Sequence, residues 1–196
     1  LVDPDLVDFT NMQRQALYDE DDARNHTPKA AAARRYLSKV NSEVQYEVLV
    51  ESLNTSNAEK ILRGATVVVD GMDNFKGRDA LNRACAKLRI PWVHGACVST
   101  HGTVTTIVPG ETPCYSCIVP DAASRTAPYT SATVGVFAPA VFTIASLQAA
   151  EALKVLAGRM DNLLKGRMVW IDVWDSTFRT FSVSRNPDCP VCAHLR

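Results

Sequence analysis

The sequence predicts an α/β fold with a doubly wound sheet, parallel in its first half and continued by antiparallel strands. Three observations carry that expectation. Short β-branched runs alternate with helical patterns through the first hundred residues, which is how a parallel sheet with crossover helices reads. Past Ser99 the pattern turns to alternating stretches joined by tight turns, the mark of hairpins. Two Cys-x-x-Cys pairs, Cys114/Cys117 and Cys189/Cys192, lie in that second half, where one metal ion could tie the tail back onto the sheet.

At 196 residues and 46% hydrophobic, the chain suits one domain over 1–196. Its 21 basic and 21 acidic side chains cancel, so overall charge supports neither a nucleic-acid nor a membrane-surface role. The longest uncharged stretch, 127–150, contains Pro139 and several Thr and Ser, and reads as a loop and a buried helix rather than a membrane span. Six cysteines in this arrangement indicate metal rather than disulfides and fit a cytoplasmic protein. Leu1-Val2-Asp3 reads as a strand already under way, so a fragment is expected.

Taken in order, 1–5 (LVDPD) sets an apolar pair before acids, as at the end of a second strand in a Rossmann-like sheet. Asp3 or Asp5 there would accept hydrogen bonds from a ribose, or serve simply as a turn acid. The glycine-rich phosphate loop of such a site, with its strand, is not in this chain. NMQRQ puts Asn11, Arg14 and Gln15 on one side of a helical turn, with Arg14 a fork suited to phosphate or a solvated charge. Residues 19–22 read as an acidic loop.

Thr27, as N-cap, and Pro28 open a helix to about Val40, with an alanine face for close packing. Lys29 falls in its first turn, where a cation opposes the helix dipole unless an anion binds between them. Residues 44–50 read as a strand, and 57–63 as a short helix stopped by Gly64.

The stretch 65–74 (ATVVVDGMDN) is a buried parallel strand ending in Asp70 and Asp73. Ligands bind at the carboxyl ends of strands in such sheets, and carboxylates there can hold Mg²⁺ with its phosphates; an Asp-Gly turn is the plainer alternative. A helix over 78–88 and a strand over 91–96 follow, with His94 as a core or lining histidine. Residues 102–108 alternate, and 168–174 pairs with 178–183 across Asp175-Ser176-Thr177. Between them, 139–156 is apolar nearly all round, apart from Glu151 and Lys154, and should be largely buried.

The knuckles at 114–117 and 189–192, about seventy residues apart, supply four thiolates for a closed structural Zn²⁺ site. Cys85 and Cys97 are single and expected to be buried.

Together, LVDPD, NMQRQ, Lys29, VVVDGMDN, CYSC, the GVFAP…SLQAAEALKVLAG helix and CPVC resemble the ThiF/MoeB/HesA family along the whole chain, in order. These are relatives of the ubiquitin-activating enzymes. The resemblance implies ATP-dependent adenylation of the C-terminal Gly-Gly carboxylate of a small ubiquitin-like sulfur carrier, in molybdopterin, thiamine or related biosynthesis, by a homodimer. It implies that Asp3 holds the ribose with Asp5 nearby, that Asn11, Arg14 and Lys29 neutralise the triphosphate, and that Asp73 binds Mg²⁺. Gln15 and Asn74 would be supporting or carrier-positioning groups. Many members carry a cysteine shortly before GV-x-x-P; here that position is Ser131, which is scarcely ionised and forms no persulfide, so the resemblance carries adenylation and not a thioester step.

Two other readings share some of these features. A nicotinamide-dependent oxidoreductase would use the LVD acid, but needs no cation cluster such as Arg14 and Lys29. A zinc-stapled interaction module would have no use for Asp73, Arg14 and Lys29.

Overall fold

Pairing within the chain separates Leu1–Leu53 from Asn54–Arg196 as two units. The computed structural model describes residues 1–126 and 131–195, with Ser131 and Ala132 described by their backbone alone.

In the first unit, the opening residues meet Leu49 in a single parallel bridge at Val2. Leu49 donates to the Leu1 carbonyl at 2.9 Å, and Asp3 donates to the Leu49 carbonyl at 3.1 Å. Pro4 has no N–H with which to extend the ladder. The strand expected over 44–50 is therefore reduced to Leu49, and Val44 and Val50 stay exposed.

A 3-10 turn, Phe9–Asn11, is capped by Asp8. The acidic segment forms a helix instead of a loop: α1, Glu20–Arg24, starts at a capping box in which Asp19 and Asp22 each accept the other's backbone N–H. Helix α2, Lys29–Val40, has Pro28 as N-cap, one residue later than expected. Thr27 is otherwise engaged, because its carbonyl accepts the Val7 N–H at 2.8 Å and its own N–H donates to the Asp22 carbonyl at 2.9 Å. The alanine face of α2 is buried as its spacing predicts, through Ala30, Ala32 and Ala33.

The second unit runs α3 (Ala58–Leu62), β1 (Val68–Val69), α4 (Phe75–Leu88), β2 (Trp92–Val98), β3 (His101–Ile107), α5 (Tyr115–Ile118), α6 (Ser131–Val134), α7 (Ala138–Leu156), β4 (Arg167–Asp172) and β5 (Thr177–Ser182). The sheet order is β1-β2-β3-β4-β5. Val69 lies beside Val93 in the parallel β1–β2 pair, and every later pair is antiparallel. The expected hairpin closes with Trp170 opposite Arg179. Helix α4 begins three residues before 78 because the Asn74 side chain accepts the Gly77 N–H at 2.7 Å.

Helix α7 lies on β2 and β3, where Ile144 and Ala152 pack with Val93 and Val104. It comes very close: a Cβ on Gly95 would sit 2.3 Å from the Gln148 side chain. The expectation that α7 is largely buried does not hold. One face is buried, while Phe142 is 48% exposed, Leu153 64% and Leu156 59%. Glu151, one of the two charged exceptions in that segment, is buried and accepts hydrogen bonds from the Thr106 hydroxyl at 2.5 Å and the Leu164 N–H at 2.7 Å. By length and composition α7 could cross a bilayer, but its polar Gln148 and Glu151 are spent on the sheet and the loop after it.

Candidate functional site

In the second unit, β1 ends on Asp70, which is fully buried. Its carboxylate accepts from the Met72 N–H at 2.7 Å, the Arg78 Nε at 3.1 Å and the His94 Nδ1 at 2.8 Å. Burial alone would raise the Asp70 carboxyl, but the His94 hydrogen bond and the Arg78 charge hold it below its ordinary value. Burial lowers His94 in spite of its carboxylate neighbour. The consistent assignment is an ionised Asp70, a charged Arg78 and a neutral His94 that donates through Nδ1–H. The core thus holds one compensated ion pair rather than a lone charge.

This arrangement fixes the loop that follows. Arg78 donates to the Met72 and Gly95 carbonyls, and Gln148 reaches past Gly95 to the Asp70 carbonyl at 2.8 Å. Asn74 closes the loop by capping α4. Asp73 is left exposed on top, beside the Asn74 amide at 3.3 Å. Of the two acids at this strand end, Asp70 is internal scaffolding and Asp73 is the one that can meet a ligand.

Arg78 and Gln148 are not evident from local sequence pattern. A charge four residues into α4, on its sheet-facing side, is the one signal for Arg78. Nothing marks Gln148, which lies 78 residues from its partner. Cys85 is buried as expected and pushed up to about 12, while Cys97 is only half-buried.

The four knuckle cysteines converge, with their sulfurs within 4.8 Å of one another. Cys114 to Cys117 is 3.9 Å, and Cys114 to Cys189 and Cys117 to Cys192 are each 3.5 Å. A tetrahedral ion with sulfur ligands at about 2.3 Å sets its sulfurs about 3.8 Å apart, so this cage can hold one metal ion. Burial raises the Cys114 and Cys117 thiols, and coordination supplies the charge that would let them ionise. Four cysteine sulfurs would complete a tetrahedral ion's coordination and leave no open position for chemistry.

The first unit holds the remaining candidates. Asp5 accepts the Lys29 Nζ at 2.8 Å and, through its carbonyl, the Lys29 N–H at 2.9 Å. The anion expected at the head of α2 is thus a side chain of this chain. The Asp5 N–H in turn donates to Asp3, which is half-buried. The Asn11 carbonyl accepts the Arg14 and Gln15 N–H groups at 3.0 Å, holding those three residues in one turn. Arg14 bonds the Thr10 carbonyl and has no carboxylate partner among the described residues. The Gln15 side-chain oxygen is buried without a hydrogen-bond partner. Asp73 and Asn74 belong to the second unit. Ser131 starts α6, and its side chain lies outside the described residues.

The ThiF family model matches residues 1–191. The chain is 39% identical over 192 residues to the SAMP-activating enzyme E1 of Haloferax volcanii, covering 98% of this chain and 70% of that protein. It is 38% identical over 196 residues to the sulfur carrier protein ThiS adenylyltransferase of Bacillus subtilis, covering 98% of this chain and 56% of that one. Among solved structures, E. coli MccB with MccA-N7isoASN matches with a TM-score of 0.84 at 25% identity, covering 99% of this chain and 59% of MccB. The chain therefore spans little more than half the length of the Bacillus relative and of MccB.

Proposed function

The chain belongs to the ThiF family, and on that premise we propose that it adenylates the C-terminal carboxylate of a small ubiquitin-like sulfur carrier with ATP. The observation that carries this reading is Asp73: an exposed carboxylate at the end of a parallel strand, on a loop held from below by Asp70 and Arg78. In the reaction, the carrier's terminal carboxylate oxygen bonds to the α-phosphorus. The bond from that phosphorus to the bridging oxygen breaks, giving an acyl-adenylate and pyrophosphate. Two anions must approach and negative charge moves onto the departing pyrophosphate, so fixed cations give most of the benefit.

Arg14 and Lys29 are our candidates for that work, with Asn11 and Gln15 orienting the phosphates and Asp3, backed by Asp5, accepting the ribose hydroxyls. Lys29 is already charged and already directed by Asp5, so little reorganisation is needed when a phosphate arrives. Asp73, with Asn74 beside it, would hold Mg²⁺, which when bound draws charge from the phosphates. The cysteine cage would hold Zn²⁺ as a structural ion. The exposed Phe142, Leu153 and Leu156 on α7 support self-association, in keeping with a homodimer, and the composition supports a cytoplasmic protein.

Carrier-dependent ATP–pyrophosphate exchange tests the reading, with Asp73→Ala as the control and carriers ending in Gly-Gly as substrates. The expected result is exchange by the parent and a loss of about a hundredfold or more in the variant. A folded, metal-loaded parent that exchanges with no carrier would overturn it and leave a binding module.

A further inference from the structure

In the parallel β1–β2 pair, the Asp70 N–H donates to the Val93 carbonyl at 3.2 Å. One rung further on, a continued ladder would use the carbonyls of Asp70 and of Gly95, two residues past Val93. Side chains take both instead. The Gly95 carbonyl accepts Arg78 at 3.1 Å, and the Asp70 carbonyl accepts Gln148 Nε2 at 2.8 Å. The same amide donates to the Val93 carbonyl at 3.2 Å, so both Gln148 N–H bonds are spent on the end of the pair. With its polar groups satisfied in this way, the chain can leave the sheet while still buried.

Each peptide of the departing loop is then held at one point. Gln148 holds 70–71 through the Asp70 carbonyl, the Asp70 carboxylate holds 71–72 through the Met72 N–H at 2.7 Å, and Arg78 holds 72–73 through the Met72 carbonyl. Gln148 alone of these comes from a distant element, the middle of α7, and it is buried there. It reaches the strand end over Gly95. A Cβ at that position would lie 2.3 Å from Gln148 Cδ and 2.5 Å from its Nε2 and Oε1, nearer than any other atoms. The Gly95 φ lies outside the left-handed region, so glycine is needed for room and not for conformation.

We propose that Gln148 is a positioning residue for Asp73 and that Gly95 is the gap through which it acts, so that α7 sets the course of the 70–74 loop. That this loop serves a metal-nucleotide site rests on the adenylation reading; the clamp itself does not.

The test is hydrogen–deuterium exchange of peptides covering 70–74 in the zinc-loaded protein, without nucleotide or carrier. Gln148→Met keeps the length of the side chain but removes both donors, which leaves the buried Asp70 carbonyl short of its partner. Loop exchange should rise about fivefold, with exchange of the β4–β5 hairpin unchanged. Gly95→Ala leaves every donor in place yet displaces Gln148, and should raise loop exchange by a similar factor. Loop exchange equal to the parent's in Gln148→Met overturns the proposal. So does a rise shared equally by the hairpin, which would make Gln148 a general packing residue. If Gln148→Met does not fold, Gly95→Ala decides by the same criteria.

A second readout concerns Mg²⁺. A bound ion selects the arrangement in which Asp73 is correctly directed, so the Mg²⁺ concentration giving half-maximal pyrophosphate exchange should rise about twofold or more in Gln148→Met, with the rate at saturating Mg²⁺ unchanged. Loss of folded protein would instead lower the rate at every Mg²⁺ concentration and leave the half-maximal one alone, and that result would overturn the positioning role. Absence of pyrophosphate exchange in the parent would count against adenylation alone, because the loop measurement uses neither ATP nor carrier.

Discussion

Asp5 and Asp70 each meet a cation where an extended segment ends, and they do so in opposite surroundings. The Asp5 carboxylate is 63% exposed and its Lys29 partner 9%, whereas Asp70 is 0% exposed and Arg78 9%. An ion pair open to water on its acidic side can exchange that acid for another anion at little cost. A buried pair cannot, since separating it leaves an uncompensated charge in the core. The same chemistry therefore serves two ends. Lys29 is a cation whose partner stays open to water, as our proposed phosphate site requires, and Arg78 is a cation consumed by the scaffold.

The largest effect that could break this contrast is on stability. Asp70→Asn leaves the Arg78 charge buried and unpaired, and should lower unfolding stability by about 3–5 kcal/mol in denaturant titrations. A loss below about 1 kcal/mol would place Asp70 with Asp5 and remove the distinction.

Lys29→Met sharpens the contrast from the other side. Stability should change by about 1 kcal/mol or less, because the partner carboxylate can turn to water. Pyrophosphate exchange should nevertheless fall by about a hundredfold. A variant that loses stability and keeps activity would show Lys29 to be scaffold.

The smallest effect is a pH slope. Burial lowers His94 from its ordinary value of 6.5, so in the unfolded chain this residue takes up a proton at higher pH than in the folded protein. The unfolded state then binds more protons just below pH 6.5, and stability should decline as pH falls from there. Asp70, which is also held low, adds to the loss only in stronger acid, below the ordinary carboxylate value of 3.8 and down through its folded value. Melting temperatures at pH 7 and pH 5 should differ in the parent and converge in His94→Gln. A parent whose melting temperature is level over that range would contradict a neutral, buried His94.

Several features of the molecule were legible because they are local. Alternation of β-branched runs with helical patterns needs only neighbouring residues, and so do the hairpin at Asp175-Ser176-Thr177 and the paired cysteines. The acids at the end of β1 were legible for the same reason. Local reading also misjudged some segments for a local reason. Thr27 is a sound N-cap by type, but its backbone is bound to Val7 and Asp22, and the N-cap falls on Pro28. The acids at 19–22 read as a loop until Asp19 and Asp22 are seen to cap one another.

The sequence alone therefore determined the order of strands in the second unit and the grouping of the four cysteines, since each depends on residue type and short spacing. Tertiary structure decided which of two neighbouring acids faces inward, which face of α7 is buried, and that Arg78, His94 and Gln148 converge on Asp70. Those partners lie 8, 24 and 78 residues from it. Periodicity cannot report contacts at such separations, because it reveals that a face is apolar or charged but not what will cover it.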